Sequence, residues 1–293
     1  MVGRQVVYAP CKINLHLGIH AQTDERGYHY VDSVMAPVGL FDEVTVDDAP
    51  FFAVRHEPAL EVPPEKTTVW KAATMLAEEL HTKLNLRIDI KTRIPEKAGL
   101  GGSSADAGAA LRALCARWGV DVNDPRVVDV ARRVGADVSF FLDPVPSLFL
   151  GAGDMLAETF PALPLTVAIV KPAGDGVSAR AAYEEFDRGP SEPVSYGDMC
   201  RALREGSVEG VREHIFNNLA PAAKALQPGC AEAESWLEAQ PETRGALVSG
   251  SGSCAFALCD GLGAARAVAE RAGGEQGWWS FATLTVGKPE EVC

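Results

Sequence analysis

Residues 95 to 106 read Pro-Glu-Lys-Ala-Gly-Leu-Gly-Gly-Ser-Ser-Ala-Asp, a glycine-rich turn that runs straight into a stretch of small residues. Glycine lets a backbone approach a ligand without a Cβ in the way. The first N–H groups of a helix have no internal partners, and the helix dipole favours negative charge at that end. The segment therefore has the makings of an anion cradle, with the hydroxyls of Ser103 and Ser104 at the same place. A glycine turn capped by serine would use the same letters with no ligand at all. Three other stretches weigh against that blander reading. Lys12 lies in Ala9-Pro-Cys-Lys-Ile-Asn14, beside Asn14 and His16; Asp137 lies in Gly135-Ala-Asp-Val-Ser-Phe-Phe141, between a helix end and an apolar run, a position suited to partial burial. Leu247-Val-Ser-Gly-Ser-Gly-Ser-Cys-Ala255 is a second glycine-rich loop. Each alone could be structural: a solvated lysine, a turn aspartate, a tight hairpin-like turn.

The elements that must position these residues follow from periodicity. Ile13, Leu15, Leu17 and Ile19 alternate with Asn14, His16, Gly18 and His20, which predicts a strand with one buried and one polar face. Val31 to Val38 and Asp42 to Val46 read as two further strands separated by a turn, and Leu84 to Arg93 as another. Helices are expected over Thr68 to Leu80, over Ser103 to Trp118 directly after the glycines, and over Arg126 to Val134. The continuous apolar run Leu165 to Val170 predicts a strand buried on both faces. Helices around Ala179 to Phe186, Ser195 to Glu205, Val208 to Ile215 and Ala231 to Ala239 follow, then strands at Ala246 to Ser249 and Cys254 to Leu258, with Asp187 to Pro193 as a surface loop. The pattern predicts two α+β layers with mixed sheets and a domain boundary near residue 155, giving units 1–155 and 156–293.

Composition narrows the classes. The 293 residues are 47% hydrophobic, enough for substantial cores, and carry a net charge of −13. That charge repels nucleic acid and anionic lipid over most of the surface, so any phosphate must be held locally. Met1 to Leu17 alternates instead of running apolar, and no later stretch could span a bilayer, so a soluble cytoplasmic protein is expected. Seven scattered cysteines match neither a disulfide framework nor a zinc pattern and read as reduced thiols.

Rival chemistries fit less well. Gly250-x-Gly252-x-x-Ala255 satisfies a dinucleotide fingerprint on paper, but Phe256 to Cys259 reads as strand where that unit needs a helix. Gly101 to Ala105 approaches a nucleophile elbow with Asp137 and His214 downstream, yet a proline-containing loop precedes it instead of a strand. No Gly-Lys-Ser or Gly-Lys-Thr occurs, which excludes a P-loop.

Taken together, the Lys12 segment, the loop at 95–106, the Asp137 segment and the loop at 247–255 resemble the GHMP kinase superfamily over nearly the whole chain. Gly27-Tyr28-His29, Gly135-Ala-Asp-Val138, Lys171-Pro172 with Gly176-Val-Ser178, and Phe216-Asn-Asn-Leu219 resemble its branch whose acceptor is a cytidine diphosphate-linked methylerythritol. The resemblance implies a two-domain α+β fold, with an N-terminal ribosomal-S5-domain-2-like nucleotide domain and a C-terminal ferredoxin-like domain, the last strand returning to the first domain or staying in the second. It implies ATP-dependent phosphorylation of the acceptor's 2-hydroxyl in non-mevalonate isoprenoid synthesis, with homoserine, mevalonate or a sugar as the alternative acceptor. ATP and Mg2+ are the implied cofactors, and a monomer or homodimer the implied state. Lys12 and Asp137 would be catalytic and hydrogen-bonded to one another. Pro95, Ala98, Gly99, Leu100, Gly101, Gly102, Ser103, Ser104 and Ala105 would hold ATP, with Ser104 reaching the β-phosphate or its magnesium. Asn14, Tyr28, His29, Ser178, Gly250 and Ser251 would hold the acceptor, Tyr28 and His29 meeting its cytosine. The family's usual asparagine near the start of the crossover helix is replaced by Thr67 or Thr68.

Overall fold

The structure is a computed structural model and describes residues 3–287. Its first layer is a seven-stranded sheet built on two long antiparallel strands, β1 (Gln5–Thr23) and β2 (His29–Asp48). The sequence predicts two strands where β2 is one. Pro10 pairs with Phe41 and Cys11 with Val38, so Gly39 and Leu40 are taken up as a bulge and the chain never turns. β4 (Leu86–Lys91) pairs antiparallel with β2, and β3 (Ala53–Glu57) lies parallel along β4. The hairpin β5 (Ser147–Leu150) and β6 (Met155–Thr159) joins β2 further along.

Three helices cover this sheet. α1 (Thr68–Glu79) starts at Thr67, whose hydroxyl accepts from the Trp70 N–H. α2 (Gly102–Trp118) buries a face of alanines together with Gly108, where a Cβ would come within 2.4 Å of the Phe141 Cβ; smallness is what brings helix and chain so close. α3 (Pro125–Val134) has proline in its first turn and Asp124 as its cap.

The second layer is a four-stranded antiparallel sheet. In chain order its strands are β7 (Thr166–Lys171), β9 (Thr243–Val248), β10 (Ala255–Cys259) and β11 (Trp279–Leu284), and in space they lie β11-β7-β10-β9. α8 (Gly229–Glu238) and α9 (Leu262–Gln276) cover one face, the ferredoxin-like arrangement that the resemblance implies. Alternation divides each strand between two cores. Ala255, Ala257 and Cys259 pack with Ala233, Leu237 and Val268 under the helices, while Phe256 and Leu258 join the core of the first layer. The expected double burial of 165–170 holds for the same reason. β11 stays in this second sheet; its Thr283 and Leu284 lie against Gly39 of β2, and just beyond it Thr285 bridges to Val38 and the Val286 N–H donates to Pro37 O.

Between these strands, α4 (Ala179–Phe186), α5 (Gly197–Glu205), α6 (Val208–Glu213) and α7 (Ala220–Leu226) pass over the junction. β8 (Phe216–Asn217) returns to the first sheet, parallel to β1. We place the change of layer within 160–165, because β6 still pairs with β5. The polar face of β1 is buried: Phe216 and Tyr196 pack on His16, Gly101 and Gly250 lie against Lys12 and Asn14, and the Asn218 side chain bonds the backbone N–H and C=O of Ile19. Among the described residues no helix is long and apolar enough to cross a membrane.

Phe256 is fully buried where the two layers meet. Phe256→Ala should lower stability by about 3–5 kcal/mol, read from the urea midpoint; a loss below 1 kcal/mol would mean the layers are not one core.

Candidate active site

The buried polar face of β1 supplies the first group. The Lys12 ammonium donates to Asn14 Oδ1 at 2.5 Å, and the Asn14 amide donates to Ser33 Oγ at 3.0 Å. Asp137 approaches from the short 3-10 turn Ala136–Val138 after α3, its Oδ2 lying 3.7 Å from the Lys12 nitrogen. The expected Lys12–Asp137 hydrogen bond is thus an ion pair just beyond hydrogen-bond reach, because the short bond goes to Asn14. Lys12 is held from behind, with only 5% of its side chain exposed, and presents its charge to an Asp137 that is 38% exposed.

The glycine-rich loop lies beside this pair and is fastened through its carbonyls. Lys97 O accepts from the N–H groups of Val177 and Ser253, and Ala98 O from that of Cys254. Gly99 O accepts from the Ser249 hydroxyl and Leu100 O from the Lys12 N–H. With the carbonyls turned into the protein, the N–H groups of Gly102 and Ser103, first in α2, have no partner among the described residues. They form an anion site at a helix N-terminus. Gly99 has φ +73°, and a Cβ there would lie 1.9 Å from Ser249 O.

One cleft of about 920 Å3 contains these groups. Lys12, Asn14, Asp137, Pro95, Ala98 to Ser104, Ser178, Gly250 and Ser251 all line it. A Cβ on Gly250 would sit 3.2 Å from both Asn14 Oδ1 and the Lys12 nitrogen, so the second glycine-rich loop closes directly over the lysine. Ser178 caps α4, accepting from the Ala181 N–H. Three predicted residues lie elsewhere. Ala105 is buried in α2. Tyr28 is 60% exposed with the Arg26 guanidinium over its ring. His29 is enclosed: one ring nitrogen lies 2.7 Å from His20 O, the other 3.0 Å from the Asp187 carboxylate, and Tyr183 stacks on its face. Tyr183 is the residue of that cluster that reaches the cleft wall.

Sequence reading missed Tyr183, which sits in an ordinary amphipathic helix. It also missed Asn217, whose amide donates to the carbonyls of Val248 and Gly250 and so shapes the second loop. Asp42 and Asp106 went unremarked too, although a lone aspartate in an alanine-rich buried helix face is a visible signal. Burial pushes the Asp106 carboxyl well above the usual range and raises Asp42 less, since the N–H groups of Arg93 and Ile94 offset it. Burial also lowers His16 to about 4, keeping it neutral beside the site. Burial, with Asp137 nearby, pushes the Tyr183 phenol up.

Two family models match the chain: the GHMP kinases N terminal domain over residues 67–149 and the GHMP kinases C terminal over residues 199–277. A 4-diphosphocytidyl-2-C-methyl-D-erythritol kinase of Azorhizobium caulinodans is 34% identical, covering 96% of this chain and 99% of that one. One from Desulfitobacterium hafniense is 34% identical over 88% of each. A crystal structure of 4-(cytidine 5'-diphospho)-2C-methyl-D-erythritol kinase superposes with a TM-score of 0.77 at 31% identity, covering 96% of this chain and all of that one. A homoserine kinase of Cytophaga hutchinsonii shares the fold, with a TM-score of 0.76 at 18% identity and coverage of 100% and 98%.

Gly99→Ala should cost at least the roughly 1–3 kcal/mol of a strained left-handed residue, measured by urea denaturation; an unchanged midpoint would show that the loop does not need its contact with Ser249.

Proposed function

Because the chain belongs to the GHMP kinase family, we propose that it transfers the terminal phosphoryl group of ATP to the 2-hydroxyl of 4-diphosphocytidyl-2-C-methyl-D-erythritol, a step of non-mevalonate isoprenoid synthesis. The observation that carries this reading is the Lys12–Asp137 ion pair, set in one cleft with the free N–H groups at the start of α2. ATP is the donor throughout the family. The acceptor follows from relatives that align over nearly their full length.

Phosphoryl transfer asks a protein chiefly to align donor and acceptor and to offset charge. The N–H groups of Gly102 and Ser103 and the α2 dipole hold the donor phosphates. Asp137 takes the proton of the attacking hydroxyl. Lys12, kept in place by Asn14, sets the direction of that carboxylate and offsets the charge that develops on the transferring group. Gly250 and Ser251 bring the acceptor's reacting end over Lys12, and Ser178 bonds it from α4. Tyr28 offers an open face for stacking the cytosine. His29 can read its edge only if the base displaces Asp187 from the ring nitrogen it now occupies.

Among the described residues no cluster of three His, Cys, Asp or Glu side chains stands ready for a metal. The donor set fits magnesium carried in with the nucleotide, which commonly takes most of its ligands from phosphates and water. Ser104, on the cleft wall, would add a hydroxyl, and the ion would supply charge neutralisation between phosphates.

ADP release from Mg-ATP should be seen with the cytidyl acceptor and be absent with homoserine, mevalonate or galactose; turnover with a rival instead would overturn the acceptor. Asp137→Asn should lower kcat by about 10²–10⁴-fold while leaving ATP affinity near wild type by calorimetry, and full activity in that variant would remove Asp137 from the base role.

A further inference from the structure

The glycine-rich loop has two stems. It leaves β4 through Thr92, Arg93 and Ile94 and re-enters regular structure at Gly102. Among the described residues no backbone hydrogen bond joins 92–95 to 101–106. The Ile94 side chain packs against Gly102, and the polar link between the stems is a pair of carboxyls. Asp42, on β2 and 1% exposed, accepts the N–H groups of Arg93 and Ile94 on one oxygen, the latter at 2.8 Å. Its carboxyl lies against that of Asp106, 5% exposed near the start of α2. Asp42 Oδ2 and Asp106 Oδ1 find no donor among the described residues. Two buried carboxyls that face each other this way need a proton between them, since an unshared pair of charges would be forced apart. Both line the floor of the cleft beneath the loop.

We propose that the Asp42–Asp106 hydrogen bond is a clamp across the stems of the phosphate loop, positioning the Gly102 and Ser103 N–H groups against the donor's phosphates. The clamp rests on the reading of this loop as the ATP cradle. Both aspartates are positioning residues: one grips the incoming stem through its amides, the other belongs to the helix whose N-terminus faces the nucleotide. Their separation sets the width of the cradle, while Lys12 and Asp137 are held by other elements. The clamp should therefore act on nucleotide binding and leave the chemical step alone.

Three substitutions separate the hydrogen bond from charge and from bulk. Asp106→Asn keeps a donor for Asp42, and ATP KM should stay within about twofold of wild type. Asp106→Ala removes the donor in a helix already rich in alanine. ATP KM should rise about tenfold or more, the size expected for a buried acceptor left unpaired, with kcat and acceptor KM nearly unchanged. Asp106→Glu keeps the carboxyl but lengthens the bridge by one methylene, so it should also raise ATP KM, and it serves if the alanine variant does not fold. Calorimetric titration with a non-hydrolysable ATP analogue reads the same loss without turnover. The clamp is wrong if the alanine and glutamate variants bind the analogue as tightly as wild type. It is also wrong if the asparagine variant weakens as much as the alanine one, or if kcat falls with ATP KM constant. A wild-type protein that does not bind the analogue overturns the cradle reading and the clamp with it.

Discussion

A protein with a net charge of −13 that handles a polyphosphate must create positive potential locally, and here backbone N–H groups supply it together with Lys12. The carbonyls of Lys97, Ala98, Gly99 and Leu100 are each bound by a donor from β1, from the segment before α4, or from the loop between β9 and β10. Fixing those carbonyls inward leaves the next N–H groups facing outward, at the positive end of a 17-residue helix. Free amides aimed at one point cost nothing to reorganise when an anion arrives, whereas a flexible lysine would have to be ordered first.

The same fastening explains why the two layers share a core. The loop's acceptors lie in the first layer and most of its donors in the second, so the phosphate site exists only when the sheets are docked. Phe256 and Leu258 contribute to that docking through apolar area, and β8 with Asn217 and Asn218 contributes through hydrogen bonds. The burial that results is what makes the β1 polar face chemically useful. Lys12 held by Asn14, itself held by Ser33, has lost the rotamers it would sample on an open strand.

Much of this was legible in the sequence because local physics and global fold agree there. The α2 start, the strand at 165–170 and the alternation of β1 follow from glycine placement, apolar runs and period two. The failures have physical causes. The break expected inside β2 is a bulge, and turn-like letters do not tell a bulge from a reversal. The polar face expected for β1 is there but buried, under Phe216 of the two-residue strand β8 and under the two glycine-rich loops, contacts that no periodicity conveys. Within the site, residues presented by loops at glycines were visible, while Tyr183 and the two buried aspartates depend on contacts far apart in sequence. His29 lies off the cleft wall because it packs against Tyr183 and Phe186 of α4, and Tyr28 because it faces solvent beside Arg26, which no spacing rule conveys.

The loop at 249–253 binds the donor loop on one side and covers Lys12 on the other. Donor and acceptor pockets are therefore cut from one continuous piece of backbone, and the distance between them is a fixed dimension of the molecule instead of an adjustable one. A relative that takes a longer or shorter acceptor cannot gain room by moving this loop without loosening the phosphates. It has to find room at the far end, around the C-terminal half of α4 and the 187–193 segment, which among the described residues hydrogen-bond to neither glycine-rich loop.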